Sequence, residues 1–342
     1  MSERVDFLIV GGGICGRLIQ LELEKRGKST LVVDDRKANQ CSIVAAGLAN
    51  PLVGKFFTIG WRSKEFFGGL YNHYQSLENR LDSSFFRPSA MKRVISTPGE
   101  QNIWLSKAHQ EKYVGFCSFA NEEIEGLNTS YGLLEVVQGG QLNAKVFLNA
   151  CMEKLPTSDE LFDYNKLNID EGNYGHLNYD HIIFCEGYKL ADNPWFNNFV
   201  HLIPTKGEIL EIETALEPKG DIYLGGVFIQ HVEGEVWRVG ATYDQNNTST
   251  NPTEMMREDL VKKLEKTLLL PYKIVAHYCG TRPASEDRKP IVGSHPKHRN
   301  MHIFNGMGSK AVSLAPLLAK ELSDNILEGI PLEGEIDVKR FC

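Results

Sequence analysis

The sequence lacks long apolar runs, closely spaced cysteines and an excess of positive charge. Nowhere do 18 apolar residues follow one another, so a membrane-spanning helix is not expected. The seven cysteines stand at least 26 residues apart and include no C-x-x-C pair, which argues against a zinc ribbon or a disulfide framework. A formal net charge of −7 gives no overall attraction to nucleic acid or to anionic lipid, so neither is an expected partner.

The composition is that of a folded protein with more than one core. Hydrophobic residues make up 42% of the 342 residues and charged residues 24%, which is typical of globular chains. At about 150 residues per domain, the length predicts two domains. The apolar stretch 5–10 is too short for a secretion signal, so we expect a cytoplasmic protein.

A glycine-rich turn lies near the beginning of the chain. Residues 5–27 predict a strand, this turn and a helix. Gly11, Gly13 and Gly16 form the pattern G-x-G-x-x-G, which lets backbone approach a pyrophosphate at the helix N-terminus. Asp34 ends the next predicted strand, where a carboxylate binds ribose hydroxyls and disfavours a 2′-phosphate. The sequence therefore predicts a bound dinucleotide other than NADP.

Later patterns indicate an α/β domain made of distant parts of the chain and a second domain with an antiparallel sheet. Residues 181–185 and 301–305 predict buried strands, whereas 206–213 and 222–242 alternate as antiparallel strands do. Residues 42–60 predict a loop, 85–137 predict strands, and Asn251 is the predicted cap of a helix. We predict a Rossmann-like domain from 1–84, 138–200 and 277–342, and a substrate domain from 85–137 and 201–276.

Several segments together resemble the FAD-dependent D-amino acid oxidase and glycine oxidase family. Their order and spacing extend over nearly the whole chain. The segments are 9–16, 42–48, 184–187, 280–283 with Asp287, 290–293, and 306–308 with Ala315 and Pro316. The resemblance implies a Rossmann-like domain that holds FAD noncovalently, and an antiparallel sheet that covers the reactive face of the flavin.

The resemblance also implies which residues contact FAD. Residues 42–48 would line the pyrophosphate and the isoalloxazine, Lys166 and Leu167 the adenine, and 306–311 the pyrimidine end. Glu186 departs from the family, which has Ala or Ser there, and 309–311 replace smaller residues. The predicted contacts are Gly11, Gly13, Ile14, Cys15, Gly16, Asp34, Asp35, Arg36, Ser42, Ala45, Ala46, Gly47, Leu48, Lys166, Leu167, Cys185, Glu186, Gly187, Arg282, Gly306, Met307, Gly308, Ser309, Lys310 and Ala311.

Four side chains are candidates to contact the substrate or to stabilise the reduced flavin. The arginine of the G-x-R-P segment binds the substrate carboxylate in glycine-oxidase-like proteins, and this role falls on Arg282, whose planar guanidinium suits a carboxylate. Lys310, at a predicted helix N-terminus, would stabilise negative charge on the reduced flavin. Tyr243 and His231 lie near the ends of the predicted hairpin and are candidates to face the substrate.

The residues and the resemblance favour an FAD-dependent oxidoreductase that dehydrogenates a small amino acid or secondary amine by hydride transfer to flavin N5. One alternative is a tRNA-modifying oxidase of the same superfamily, acting on a carboxymethylaminomethyl base, against which the acidic net charge argues. Others are a flavin-binding protein without activity and, should the protein be colourless, an NAD-dependent dehydrogenase. His295, His298 and His302 lie in and around a polar turn and predict no metal site.

Overall fold

The computed structural model describes residues 4–35, 40–54, 58–108, 110–220, 222–247 and 249–342. Within these ranges the chain is a mixed α/β fold with two eight-stranded sheets and two smaller ones. The helices are α1 (Ile14–Lys25), α2 (Gln40–Val44), α3 (Ser63–Gly68), α4 (Leu70–Leu81), α5 (Pro98–Ala108), α6 (Ala144–Lys154), α7 (Glu254–Leu264) and α8 (Ala311–Glu328). None of the described helices has the length and apolarity to cross a membrane.

The strands occur in short and long pieces along the whole chain. They are β1 (Arg4–Val10), β2 (Thr30–Val33), β3 (Leu48–Ala49), β4 (Leu52–Val53), β5 (Thr58–Ile59), β6 (Phe86–Pro88), β7 (Met91–Val94), β8 (Cys117–Ala120), β9 (Leu133–Val136), β10 (Gly140–Leu142), β11 (Thr157–Ser158), β12 (Leu167–Asn168), β13 (Asn173–Tyr174), β14 (Leu177–Phe184), β15 (Leu202–Thr214), β16 (Ile222–Leu224), β17 (Phe228–Glu233), β18 (Val236–Gly240), β19 (Tyr272–Ser285), β20 (Ile291–Ser294) and β21 (Met301–Asn305).

The first large sheet has a parallel centre in the order β2-β1-β14-β21. Its strands are buried on both faces, which explains their almost uninterrupted apolar sequences. Helices α1 and α8 follow β1 and β21, and Arg26 after α1 pairs with Asp324 near the end of α8 at 2.5 Å. The two helices therefore run in the same direction, and both begin at the carboxyl edge of the sheet.

The second large sheet has the order β19-β15-β18-β17-β16-β7-β9-β8. Its pairs are antiparallel except for β16 with β7. Leu260 and Leu264 of α7 pack with Leu210 and Trp237 against one face, and residues 41–46 lie against the other. Strand β19 crosses the predicted domain boundary at residue 276, and the division into two domains stays a prediction.

Three predicted segments differ from the structure. Residues 42–60 contain α2 and β3 to β5 instead of a loop alone, and 85–137 include α5 as well as strands. In α5 the tryptophan Trp104 is almost fully buried but most neighbouring side chains are not, so the helical period is weak. Helix α7 is capped by Thr253, not by Asn251, because Thr253 donates hydrogen bonds to Glu208.

Helix α8 contains a proline that is compensated by a distant tyrosine. Pro316 has no N–H group to donate to the carbonyl of Val312, four residues earlier. The buried hydroxyl of Tyr74 donates to this carbonyl instead, at 2.8 Å. This bond ties α4 to the first turn of α8.

A buried histidine, His302, lies beside the partly exposed His181 within the first sheet. His302 is 1% exposed, and its two ring nitrogens lie 2.8 Å from Ser294 Oγ and 3.1 Å from His181 Nδ1. Burial, with a smaller effect from His181, lowers the pKa of His302 to about 3. His302 is therefore neutral in the folded protein throughout the physiological range.

Acidification from pH 7 to pH 5 is expected to destabilise the fold. The unfolded chain protonates His302 near its ordinary pKa of about 6.5, whereas the folded protein does so only near pH 3. Stability is therefore lost as the pH falls through about 6.5, with a slope approaching roughly 1.4 kcal/mol per pH unit for this residue. Urea unfolding at pH 7, 6 and 5 measures the slope. His302→Gln should reduce it and His176→Gln, at an exposed site, should not; equal slopes for His302→Gln and the parent would contradict the assignment.

Candidate active site at the carboxyl edge of the first sheet

The turn between β1 and α1 leaves no room for side chains. Gly11 has a φ of 99°, and a Cβ there would lie 2.6 Å from the carbonyl oxygen of Cys185. A Cβ on Gly16 would lie 1.9 Å from the carbonyl oxygen of Gly11. Gly13 is the N-cap of α1 and provides no side-chain cap, so the N–H groups at Ile14 and Cys15 are not capped by a side chain. This backbone fits an anionic pyrophosphate.

Asp34 lies beside this turn at the end of β2. Its side chain is buried; burial raises the pKa of Asp34, while a hydrogen bond from the Gly12 backbone and the positive charge of Arg17 lower it. The backbone N–H of Asp34 donates to Ser158 in β11, at 3.1 Å. The position suits a ribose hydroxyl. Asp35 follows directly, and Arg36 lies outside the described residues.

The residues predicted to contact adenine are not on this side of the sheet. Leu167 begins β12, which lies beyond β14 and β13, whereas Asp34 follows β2 on the other side of β1. Lys166 is half-exposed and lies 3.6 Å from Glu160. The structure does not bring Lys166 or Leu167 to Asp34. Strand β11 with Ser158 is the segment that lies beside it.

The end of β14 adjoins the glycine turn. Cys185 and Glu186 lie against Gly11. Tyr164 and Asn193 donate hydrogen bonds to the Glu186 carboxylate, the second at 2.8 Å, while burial raises the pKa of Glu186 to about 7. Gly187 has a positive φ of 61°, and its carbonyl accepts a hydrogen bond from the Asn305 side chain. This bond connects the end of β14 to the end of β21.

The glycine turn near the end of the chain lies at the same edge. Gly306 and Gly308 have φ values of 75° and 56°, and a Cβ on Gly306 would lie 2.7 Å from Ile291. The N–H of Gly308 donates to Pro283 at 3.0 Å, which joins this turn to β19. Met307 is buried within the turn and Ser309 is exposed. The two glycine turns, distant in sequence, thus lie at one edge of one sheet.

The first turn of α8 presents positive charge. Lys310 is its N-cap residue and Ala311 its first residue, without a side-chain cap. Burial lowers the pKa of Lys310, with smaller effects from Lys289 and Arg288. Among the described residues, none forms an ion pair or hydrogen bond with the Lys310 ammonium group. A partly buried cation of this kind fits an anionic or carbonyl-bearing ligand.

The segment 41–48 lies against the second large sheet. Gly47 has a φ of 68°, and a Cβ there would lie 2.0 Å from the carbonyl oxygen of Leu142. The carbonyl of Ala46 accepts a hydrogen bond from the buried Gln230 of β17, at 3.2 Å. Ser42 lies in α2, Ala45 directly follows it, and Leu48 begins β3.

Arg282 lies on the face of the second sheet turned toward this segment. A Cβ on Gly207 would lie 2.2 Å from its Nη2, so the guanidinium rests on a glycine. Its Nη1 donates to the carbonyl of Thr242 at 3.1 Å, and its Cζ lies 5.9 Å from the ring centre of Tyr243. Burial lowers the pKa of Arg282, opposed by Cys41 and Tyr243. No carboxylate of the described residues pairs with it.

Two neighbouring side chains of β17, His231 and Gln230, lie on opposite faces of the second sheet. His231 packs on Trp237, on the face covered by α7, and lies 2.9 Å from the carbonyl of Gly234. It therefore does not face the candidate site. Gln230, which sequence reasoning missed, lies on the side of Ala46. Gln230 could have been found from the sequence as a polar residue among apolar neighbours in a predicted strand.

These features agree with a flavin dinucleotide. The two helix N-termini lack side-chain caps, the glycine turns admit no side chain, and Lys310 and Arg282 offer partly buried positive charge. In the described part of the chain, no group of three or more His, Cys, Asp or Glu side chains is arranged to hold a metal ion.

Comparison with known families shows which one the chain belongs to. Residues 6–325 match the model of the FAD dependent oxidoreductase family, DAO, and the chain belongs to this family. This match confirms the resemblance found in the sequence.

The relatives of the chain are named for different functions. The chain is 25% identical to the bifunctional protein ThiO/ThiG of Nostoc sp., over 94% of this chain and 53% of the relative. It is 21% identical to glycine oxidase of Bacillus licheniformis, over 98% and 96% of the two chains. It is 20% identical to the tRNA 5-methylaminomethyl-2-thiouridine biosynthesis bifunctional protein MnmC of Idiomarina loihiensis, over 99% and 59%. The chain spans about half the length of the ThiO/ThiG relatives.

A solved structure shares the fold. Glycine oxidase of Geobacillus kaustophilus superposes with a TM-score of 0.81 at 18% identity, covering 99% of this chain and 98% of that one. The predicted fold class, a Rossmann-like domain with a second sheet domain, is confirmed.

Proposed function

We propose that the chain oxidises a small amine that carries a carboxylate, an amino acid or a secondary amine. The observation that carries the proposal is Arg282, a partly buried guanidinium with one backbone acceptor and no carboxylate partner among the described residues. A buried cation needs a compensating anion, and a planar guanidinium binds a carboxylate through two parallel hydrogen bonds. Glycine oxidase, one of the relatives, is named for a substrate of this chemical class.

The remaining residues of the site orient the substrate and favour charge transfer. FAD, bound noncovalently, supplies the hydride acceptor at N5. Tyr243, beside Arg282, narrows the space around the substrate carboxylate. The first turn of α8 and Lys310 stabilise the negative charge that reduction adds to the cofactor. No protein acid or base is required, because a neutral amine gives up a hydride from carbon.

A tRNA-modifying oxidase is the second candidate. The similarity to MnmC over 99% of this chain favours it, whereas the net charge of −7 opposes binding to a polyanion. If the protein shifts the mobility of tRNA, and the shift weakens with added salt, the tRNA-modifying oxidase would be supported.

Anaerobic titration of the purified yellow protein with amino acids and secondary amines tests the proposal. We expect amines with a carboxylate to bleach the visible absorbance of the flavin, and their amides to do so weakly. Bleaching by no amine would contradict the proposal and favour a flavin-binding protein without activity. A colourless protein that binds NAD would contradict the proposal that the cofactor is FAD. Acid precipitation should release the flavin into solution, as noncovalent binding requires.

A further inference from the structure

An ion pair lies behind Arg282, buried on the other face of the same sheet. Lys206 and Glu208 are 1% and 0% exposed, and Lys206 Nζ lies 2.9 Å from Glu208 Oε1. His277 Nε2 lies 2.8 Å from Glu208 Oε2. Because side chains alternate along a strand, both residues point away from Gly207, on which Arg282 rests. Buried ion pairs add little stability over apolar residues, so this pair calls for another explanation.

The ion pair fixes the far end of the loop 244–253. Lys206 Nζ donates to Ser249 Oγ at 3.0 Å and to the carbonyl of Asn251. Glu208 accepts hydrogen bonds from the backbone and the hydroxyl of Thr253, at 2.9 and 3.1 Å. These charge-assisted bonds hold the end of the loop against β15.

The near end of the loop is fixed by the same two residues. The backbones of Lys206 and Asp244 exchange two hydrogen bonds, at 2.8 and 2.9 Å. The N–H of Glu208 donates to Thr242 Oγ1 at 2.8 Å. The carbonyl of Thr242 is in turn the hydrogen-bond acceptor of Arg282. Backbone bonds of β15 thus hold Thr242 and Asp244, and the charged side chains of Lys206 and Glu208 hold the other end of the loop, at Ser249, Asn251 and Thr253.

We propose that Lys206 and Glu208 are positioning residues for substrate recognition. They act through the loop 244–253 to hold Thr242 and Tyr243 against Arg282, and so fix the guanidinium where it meets the substrate carboxylate. The inference rests on the proposed function of Arg282. Displacement of a binding group by about 1 Å costs up to a hundredfold in rate, so partial loosening of the loop is expected to matter.

Discrimination between a carboxylate substrate and its primary amide tests this role in the holoenzyme. N-methylglycine and N-methylglycinamide are the probes, or the corresponding pair for whichever amine bleaches the flavin best. For Glu208→Gln and Lys206→Met we expect the ratio of kcat/KM values to fall about tenfold. The fall arises from a higher KM for the carboxylate, because the amide gains little from Arg282. Arg282→Ala, which removes the guanidinium, should give the lowest ratio of kcat/KM for the carboxylate to kcat/KM for the amide.

A matched variant separates positioning from stability. Arg26→Met breaks another ion pair, with Asp324 and Glu22, far along α1 and α8 from this loop. It should lower the melting temperature without changing the ratio. A lower melting temperature with an unchanged ratio in the Glu208 and Lys206 variants would overturn the inference. An unchanged ratio in Arg282→Ala would instead contradict the proposed function.

A milder variant keeps the test decisive if the buried variants do not fold. Ser249→Ala removes one acceptor of Lys206 at an exposed position of the loop and leaves the ion pair intact. We expect the ratio to fall about twofold to threefold with flavin content unchanged. An unchanged ratio in this variant would count against the positioning role.

Discussion

Arg282→Ala should raise the KM for the carboxylate-bearing amine about thirtyfold to a hundredfold. The expected loss corresponds to roughly 2–3 kcal/mol, as for the removal of charged hydrogen bonds. The kcat should fall less, because hydride transfer itself needs no contact from this side chain. Steady-state kinetics with the amine identified by flavin bleaching provides the measurement.

Retained colour is the control for this substitution. Arg282 rests on Gly207 and bonds to Thr242, outside the glycine turns, so the variant should keep its flavin. Arg282→Lys should restore part of the binding, because a lysine gives a point charge without the paired donors. An unchanged KM in a yellow Arg282→Ala protein would remove the main support for the proposed substrate class.

Gly16→Ala is expected to abolish flavin retention. The new Cβ would lie 1.9 Å from the carbonyl oxygen of Gly11. The Cβ is fixed by the backbone of residue 16 and the oxygen is itself backbone, so neither atom can move without the turn. Opening the turn to relieve this contact moves the N–H groups that face the pyrophosphate. Overpacking costs about 1–3 kcal/mol where side chains can adjust, so we expect at least the upper end here. Flavin content after gel filtration and the melting temperature measure the effect.

Gly68→Ala is the matched control for that variant. Gly68 ends α3, and a Cβ there has no neighbour within 4 Å. It should leave flavin content unchanged. Full flavin content in Gly16→Ala would show that the turn between β1 and α1 is not part of the cofactor site.

Sequence reasoning succeeded where a feature is local. The glycine pattern, the strand before it and the helix after it depend on neighbours within a few residues, and each is found where predicted. It failed where partners come from elsewhere in the chain. Thr253 bonds to Glu208, 45 residues away, and this bond sets the start of α7.

The candidate site shows the same division. Gly11 and Gly306 can be predicted because a positive φ favours glycine. Gln230 cannot, because its hydrogen-bond acceptor is the carbonyl of Ala46, 184 residues away. In the sequence, Lys206 and Glu208 look like the exposed polar residues of an ordinary strand with alternating polar and apolar side chains. Only the loop folded over it reveals that its charges are buried.

The hydrogen bond from Tyr74 to the Val312 carbonyl fixes the first turn of α8, the end of the helix that belongs to the proposed cofactor site. Because Pro316 removes one internal bond of this turn, which keeps the bonds from Ser313 and Leu314 to the Lys310 carbonyl, the turn that begins at Lys310 is also held by α4. A change in the packing of α4 would therefore reach the redox centre without any residue of the site being altered.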